Sequence, residues 1–564
     1  MILKTSFKQG KWGIKVDNDI KKVGENKFKL NSIFNYLILI AFVALEIYVS
    51  SFHEYWADEA QAWLIARDTN ILELFSVLKY ESTPVLWYLI LKIFMVFKLP
   101  YEYFYIVPII FSALGIYLVL FKTKFPWYIK LLFTFSYFIF YQNTVICRNY
   151  CLVLPLIMLV CINYKDRFEK PYRFTFSLIL FMNISAHTYL LSGSIYFLYI
   201  VDSIRYLKKL GKEEEVIANK SSKNNDIKNQ NISSQNDSKN SNKVKVLRNK
   251  EINLMFSIMI LFVMFLLILI MLFPDKNMGF GGNSGEKIFK IIGRATFADR
   301  SMLISIISTI FLLIVLFKSF DKIEILRGVI LFAPLILFLT FVHSQIWHIS
   351  VLFVALFFFL SQKMDKKWIK FFLTAVLVVQ CIYSVTTIQM EKKNSYSSGE
   401  KIAEFLKSIN LNDKKIEIFS TAFQGVSIQP YFEKNIFYLY DDKSYYRWTK
   451  DFNDKIDQKY QEKYDSDIVI IPVNLVSNEY TKEEYEGLEE TCVIRDKHFN
   501  DLINHYQENG YVSYQFVARH VEKLNYPESQ VTFIFVKKEI SEMIDKDKYP
   551  AKELKFEYLS NYRY

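Results

Sequence analysis

Two adjacent acids, Asp58 and Glu59, follow directly after the first long apolar run of the chain. They belong to a stretch from 54 to 68 that also contains two tryptophans, and a further acid, Glu81, lies three residues before a proline. A carboxylate placed there could take the proton from an attacking hydroxyl or amine. Charged groups beside hydrocarbon are costly and usually mark a substrate or ion site. The alternative is an interfacial amphipathic helix whose acidic face lies in water.

The other candidate groups supply what transfer from a lipid phosphate requires. Arg148 could balance the charge of a departing phosphate, because the planar guanidinium suits phosphate oxygens. Aromatic side chains could pack against a sugar ring. The expected topology places the following acids, arginines and histidines on one side of the membrane: Glu54, Asp58, Glu59, Arg67, Glu81, Arg148, His187, His343 and His348.

The composition indicates which elements must position these groups. Of the 564 residues, 52% are hydrophobic and 17% are aromatic, and the apolar residues occur in long blocks such as 252–273. About 20 apolar residues cross the hydrocarbon core of a bilayer. We therefore expect a polytopic α-helical membrane protein of about 10–12 spans, with interfacial helices after span one and a small C-terminal extracytoplasmic α/β domain. The net charge of +12 does not indicate a nucleic-acid partner, because Lys and Arg lie in short segments between apolar runs, as in cytoplasmic loops.

The charge pattern divides the chain into five parts. The Lys-rich start precedes an apolar run without a signal-peptide cleavage site, so the N-terminus is expected in the cytoplasm. A segment rich in Asn, Lys and Ser has too few apolar residues to fold alone. The predicted parts are a cytoplasmic segment (1–30), a first membrane bundle (31–210) with a catalytic first outer loop (52–83), a low-complexity cytoplasmic linker (211–250), a second membrane bundle (251–389) and an extracytoplasmic α/β domain (390–564).

The predicted topology contains one conflict. Three apolar runs, 84–98, 103–121 and 126–141, connect the outer acidic stretch to Arg148. If the basic loop 165–173 is cytoplasmic, Arg148 lies outside, and three full spans cannot join two outer segments. We therefore expect one of these runs to be a partial or re-entrant helix, unless the positive-inside rule fails locally.

Cysteine and glycine add little chemistry. Five cysteines without a CxxC motif indicate neither a disulfide framework nor a cysteine zinc site. The glycine cluster 279–285 could cradle a phosphate, but no strand or Walker pattern precedes it, and a flexible outer loop is the alternative. His343 and His348 are five residues apart, which is poor spacing for a shared metal on one helical face.

Four short motifs together resemble the GT-C superfamily of membrane glycosyltransferases. They are the acidic pair after span one, Glu-x-x-Pro from Glu81, Arg-x-Tyr from Arg148 to Tyr150, and His-x-Tyr from His187 to Tyr189. More narrowly, these motifs resemble the branch containing protein O-mannosyltransferases, aminoarabinose lipid A transferases and related bacterial enzymes. The resemblance covers about 30–210 by motif and 250–390 by topology. It departs from the pattern at Ser82-Thr83, where many relatives have His or Gly.

The resemblance implies a role for each motif. Asp58, with its neighbour Glu59, matches the first-loop acid that acts as the catalytic base or positions the acceptor. Donor phosphate binding is implied for Arg148, Tyr150, His187 and Glu81. We assign acceptor positioning to Glu54, Trp63, His343 and His348. A divalent cation, Mg or Mn, could accompany the donor phosphate, with Asp58 as a possible ligand.

These inferences predict an inverting glycosyltransferase. It would move a sugar from a polyprenyl-phosphate donor to an envelope acceptor at the outer face of the plasma membrane. The acceptor could be a glycan, a teichoic-acid-like polymer, a glycolipid or a protein. Its other expected partners are membrane lipids. The alternatives are a lipid-linked-sugar flippase, which needs acids at mid-depth and related halves, and a non-catalytic envelope assembly scaffold.

Overall fold

The computed structural model describes most of the chain. The described residues are 18–81, 83–225, 230–273, 275–278, 286–298, 301–342, 344–418, 422–440, 443–460, 465–475, 497–520 and 528–552. Their first fifteen helices are α1 Asn18–Ser50, α2 Ala57–Asp68, α3 Ile71–Leu78, α4 Leu86–Val96, α5 Ile106–Lys122, α6 Trp127–Thr134, α7 Val153–Tyr164, α8 Pro171–Met182, α9 Ala186–Asn225, α10 Gln230–Leu272, α11 Ile288–Phe297, α12 Met302–Ser319, α13 Lys322–Phe341, α14 Ile346–Ser361 and α15 Lys367–Lys393.

Apolar helices long enough to cross a bilayer make up much of this bundle. Within the described residues there are six: Ser32–Ser50, Tyr101–Lys122, Asn242–Leu272, Met302–Ser319, Lys322–Phe341 and Lys367–Lys393. Three shorter apolar helices accompany them: Leu86–Val96, Asn149–Tyr164 and Ile346–Ser361. Large apolar side chains such as Leu37 and Ile270 face outward on these helices. This pattern is that of a membrane-embedded helical protein.

The three apolar runs between the acidic stretch and Arg148 are unequal in length. The run 84–98 forms only the 11-residue α4, which at 1.5 Å per residue covers roughly half of the hydrocarbon core. The run 126–141 breaks after the eight-residue α6 and continues as a π-helix, Phe138–Val145. A partial helix was expected in one of the three runs, and the structure has short helices in two.

The first two helices after span one differ in burial. In α3, Ile71 and Leu72 are exposed, as expected of a helix at a membrane interface. In α2, nearly every residue is buried, because the helix packs against α4 and a 3₁₀ segment, Ala422–Ser427. The alternative interpretation of α2 as an amphipathic helix whose acidic face lies in water is therefore wrong.

The predicted linker also differs from the structure. Helix α9 continues to Asn225, and α10 begins at Gln230, so the described part of 211–250 is helical. Lys and Glu favour helix formation, and Lys209 pairs with Glu213 one turn later. The low apolar content of this segment predicted a loop, but the local helix propensity of its residues favours a helix.

The C-terminal part contains a four-stranded sheet in the order β1-β2-β4-β3. The pair β1–β2 is parallel, and the other two pairs are antiparallel. Alternate residues of β2 and β4 pack on opposite faces, one against a helix and one against the main core. The elements are α16 Gly399–Lys407, β1 Ile416–Ile418, α17 Lys450–Tyr460, β2 Ile468–Leu475, α18 Lys497–Glu508, β3 Tyr511–His520, β4 Glu528–Lys537 and α19 Lys538–Ser541. Short apolar and β-branched runs at 416–419, 468–472 and 531–536 predict strands, and β1, β2 and β4 lie there as far as the described residues extend, whereas β3 has no such run in the prediction.

Candidate active site

A cavity of about 390 Å³ lies at one end of the helical bundle. Its wall comes from the first turn of α2, the loop before α4, the segment 148–150, the ends of α9, α13 and α14 that meet there, and the C-terminal part of the chain. The predicted site residues that line it are Asp58, Glu81, Arg148, Tyr150, His187 and His348. The fold therefore brings together six side chains that are up to 290 positions apart in the sequence.

Asp58 and Arg148 form an ion pair in this cavity. Asp58 Oδ2 lies 2.7 Å from Arg148 Nη1, and both side chains are partly exposed to the cavity. The first turn of α2 carries Asp58, where the partial positive charge of a helix N-terminus favours an acid. The guanidinium also lies over the Trp347 ring, with its central carbon 4.8 Å from the ring centroid. An arginine that is held by one acid and one aromatic face keeps N–H donors for an anionic ligand.

Glu81 lies beside this pair in a different environment. Gln61 Nε2 donates a hydrogen bond to Glu81 Oε1 at 2.8 Å. Burial raises the pKa of Glu81 to about 8, and the nearby charge of Asp58 adds to the rise, while Gln61 and Arg148 oppose it. At neutral pH the carboxyl group is therefore mostly protonated, so it can donate a hydrogen bond to an anion.

Gln61 also connects the cavity to the C-terminal part. Its side chain donates to Tyr446 O at 2.7 Å and accepts from Tyr446 N at 2.9 Å. On the other side, Thr449 forms a β-bridge with Met278, which precedes α11. The segment 443–452, which we term the roof segment, is thereby fixed to both halves of the membrane bundle. Sequence reasoning missed Gln61, although it lies three residues after Asp58 and so on the same helical face.

Aromatic rings form much of the remaining wall. Trp448 of the roof segment lies 4.7 Å from Phe423, measured between ring centroids, and both line the cavity. Trp87 and Tyr88 of α4 lie in the same wall. Aromatic faces of this kind suit the apolar faces of a sugar ring. The C-terminal part contributes Phe423 and Trp448 to the described lining of the cavity.

His187 and His348 stack on each other at the cavity wall. Their ring centroids are 4.1 Å apart with an interplanar angle of 16°. Trp347 donates its indole N–H to His348 Nε2 at 2.9 Å. Both histidines are buried, so they form a polar patch at the edge of the cavity. The backbone N–H of Gln345 also lies 3.2 Å from His348 Nδ1, so both nitrogens of this ring face donors of the protein and the ring shapes the wall.

Glu59 lies behind the cavity wall and does not line it. The carboxylate is fully buried and accepts hydrogen bonds from the backbone N–H groups of Trp56 and Cys147. One residue along a helix rotates the side chain by about 100°, so Asp58 and its neighbour face different surroundings. The expectation that Glu59 takes part directly in catalysis is wrong for this geometry.

Two predicted acceptor residues also lie outside the cavity. Glu54 Oε1 faces Lys401 Nζ at 3.5 Å, and burial raises the pKa of Glu54 while Lys401 opposes the rise. Trp63 is buried against Tyr101 and Phe104. Glu54 and Trp63 therefore make their contacts within the protein and away from the cavity. The structure does not support their assignment to acceptor positioning. His343 and the glycine cluster 279–285 lie outside the described residues.

The cavity offers little for a resident metal ion. Among the described residues, no group of three or more His, Cys, Asp or Glu side chains is placed to hold one. Asp58 pairs with Arg148, and Glu81 accepts a hydrogen bond from Gln61, so the donor set of the described residues does not fit a bound divalent cation. No step below depends on one.

Comparisons with known proteins identify no relative. No family model, no curated protein and no solved structure matches the chain.

Proposed function

We propose that this protein is an inverting glycosyltransferase that uses a polyprenyl-phosphate sugar as donor. The observation that carries the proposal is the Asp58–Arg148 ion pair in an aromatic-lined cavity at the end of an apolar helical bundle. An acid beside an arginine provides a base and a phosphate ligand within one site. The surrounding apolar helices allow the lipid chain of a donor to remain in the bilayer.

The reaction uses the ion pair in two stages. The donor phosphate takes up N–H donors of Arg148, which weakens the hold of the guanidinium on Asp58. The freed carboxylate accepts the proton of the attacking hydroxyl or amine. The nucleophilic atom bonds to the anomeric carbon from the side opposite the phosphate. The carbon–oxygen bond to the phosphate breaks, its electron pair leaves with polyprenyl phosphate, and the anomeric configuration is inverted.

Glu81 and the aromatic wall have supporting roles. A protonated Glu81 does not repel the donor phosphate and can donate a hydrogen bond to it. Trp448 and Phe423 offer a stacking surface on the C-terminal side of the cavity, where we place the acceptor. The acceptor is an envelope glycan, polymer, glycolipid or protein.

The proposed location is the outer face of the plasma membrane. Helix α9 begins at the cavity with Ala186 and reaches Arg205 after about 28 Å, close to the thickness of the hydrocarbon core. Near that distant end, Asp202 binds Arg167 and Arg327, which belong to basic segments typical of cytoplasmic loops. The cavity and the α/β domain then lie outside, and about 10–12 crossings are expected, including short helices.

The test uses the purified full chain with radiolabelled polyprenyl-phosphate sugars and envelope extracts. The proposal predicts a labelled acceptor whose new glycosidic bond has the anomeric configuration opposite to that of the donor. Proteoliposomes loaded with the same donors provide the comparison. Movement of intact donor across the bilayer without transfer would show a flippase. Neither transfer nor movement with any donor would favour a scaffold, and either result would contradict the proposal.

A further inference from the structure

A chain of buried charged groups lies behind the cavity wall. His53, in the turn between α1 and α2, faces Glu59 on one side and Glu391 of α15 on the other. His53 Nε2 is 3.2 Å from both carboxylate oxygens of Glu59, and His53 Nδ1 is 2.7 Å from Glu391 Oε1. All three side chains are completely inaccessible to solvent. Tyr141 completes the group by donating its hydroxyl to the second oxygen of Glu391.

His53 is a cation in this arrangement. Each ring nitrogen faces a carboxylate oxygen, and an imidazole can donate from both nitrogens only when it is doubly protonated. Burial alone would lower the pKa of His53, but the two carboxylates outweigh it and raise the pKa to about 10. The other groups that pack on the ring are Tyr55 and Tyr396. The imidazolium therefore persists throughout the neutral pH range.

Glu59 connects this cation to both members of the catalytic pair. Its Oε2 accepts the backbone N–H of Trp56 at 2.9 Å, two residues before Asp58. Its Oε1 accepts the backbone N–H of Cys147 at 2.6 Å, immediately before Arg148. One carboxylate thus holds the two backbone segments that carry the base and the phosphate ligand. Its own position depends on the imidazolium behind it.

We propose that His53 is a positioning residue, which, together with Glu391, sets the alignment of Asp58 and Arg148 through Glu59. This inference rests on the proposed function for its effect on rate. A displacement of about 1 Å at reacting groups can cost on the order of 100-fold in rate. Because Glu391 and Tyr396 begin the connection to the α/β domain, the same contacts join that domain to the catalytic pair.

The experiment compares wild type with H53Q, the double variant H53Q/E391Q and a control, H505Q. The single variant removes the cation and leaves two buried carboxylates facing each other, so it is expected to lose thermal stability. The double variant removes one positive and one negative charge, so the net charge of the buried group is unchanged. His505 lies in α18 and contacts Asn509, away from the cavity. The milder variant Y141F removes one donor to Glu391.

Two measurements separate positioning from simple stabilisation. For H53Q/E391Q we expect a melting temperature within about 5 °C of wild type, a kcat reduced at least about tenfold and a donor KM changed less than about twofold. Hydrogen–deuterium exchange in peptide 142–150 should accelerate, because the Cys147 amide loses its fixed acceptor. Y141F should show the same changes in smaller measure, and H505Q should show none.

Failure of the positioning role of His53 can be distinguished from failure of the proposed transferase function. Wild-type kcat together with unchanged exchange in 142–150, in the double variant or in Y141F, would overturn the positioning role. If wild type transfers no sugar from any donor, the proposed function fails. The exchange measurement then decides alone whether His53 and Glu391 fix the segment before Arg148, and unchanged exchange would reject that claim.

Discussion

The two carboxyl groups of the cavity are in different states although they share one wall. Asp58 pairs with Arg148 and is suited to accept a proton once that arginine turns to another anion. Glu81 accepts a hydrogen bond from Gln61, and desolvation raises its pKa to about 8. Different environments commonly divide the roles of two acids in this way. In the proposed mechanism this division makes Asp58 the base and Glu81 the hydrogen-bond donor.

The protonation of Glu81 predicts a high-pH limit on transfer. Since ionised Glu81 would face the donor phosphate, the wild-type rate should fall as pH rises through about 8. E81Q keeps a neutral donor, so this fall should disappear while activity at pH 7 remains within about tenfold of wild type. E54Q, whose site lies outside the cavity, should keep the wild-type profile. A high-pH fall that persists in E81Q would contradict this role.

The same group predicts a change in stability with pH. The pKa of Glu81 is raised in the folded state, so the folded protein holds the proton after the unfolded chain has lost it. The contribution of Glu81 to the free energy of unfolding therefore decreases as pH rises from near 4.5 to about 8 and does not change above that. E81Q should melt at a higher temperature than wild type at pH 8.5. An equal or lower melting temperature would show that burial does not raise the pKa of Glu81.

At the residue scale, the sequence indicated part of the site. Asp58, Glu81, Arg148 and His187 could be selected because each belongs to a short motif beside an apolar run. His53 and Gln61 could not be assigned, because their partners Glu391 and Tyr446 are 338 and 385 positions away. Spacing carries information about neighbours on one helix, but it carries none about contacts across such separations.

Among the elements, helix α2 contacts a different part of the protein on each of three faces. Asp58, Gln61 and Ala62 share the face that lines the cavity. Glu59 faces the buried cation, and Trp63 packs on the aromatic core next to α5. A helix with three occupied faces cannot keep a solvated side, so its weak amphipathic pattern does not correspond to a face in water. The helix is the mechanical link between the membrane bundle and the roof segment.

Replacing Gln61 tests that link. Q61L removes both hydrogen bonds to Tyr446 and the bond to Glu81, so we expect a loss of roughly 2–3 kcal/mol in stability and a raised KM for the acceptor. The matched control is Q380L, because Gln380 is also buried and donates to Thr296 O far from the cavity. It should lower the melting temperature without changing the acceptor KM. Equal acceptor KM values in both variants would argue against a role of the roof segment in acceptor binding.

At the scale of the whole molecule, the polar groups are concentrated at two ends of an apolar bundle. One end holds the cavity, and the other holds Asp202 with its arginines and the Lys250–Glu169 pair. The membrane class was predictable from the long apolar blocks, and most strands of the sheet were predictable from short β-rich runs. The lengths of α4 and α6 were not, because apolar composition alone does not determine where a helix breaks.

The proposed orientation predicts which surfaces are accessible from outside the cell. In a background without native cysteines, E433C in the C-terminal part should react with a membrane-impermeant maleimide on intact cells. K209C, beyond the distant end of α9, should react only after permeabilisation. Both positions are exposed, so the difference reports their side of the membrane. The reverse pattern would place the cavity in the cytoplasm and contradict transfer at the outer face.

The most direct test of the central claim is the rate of sugar transfer by D58N. Asparagine has nearly the same shape but cannot take up the proton, so transfer should fall at least about 100-fold, while the variant remains folded and inserted in the membrane. D68N provides the control, because Asp68 ends the same helix and pairs with Arg67 outside the cavity; it should transfer at the wild-type rate. Transfer by D58N at the rate of D68N would show that Asp58 is not the base.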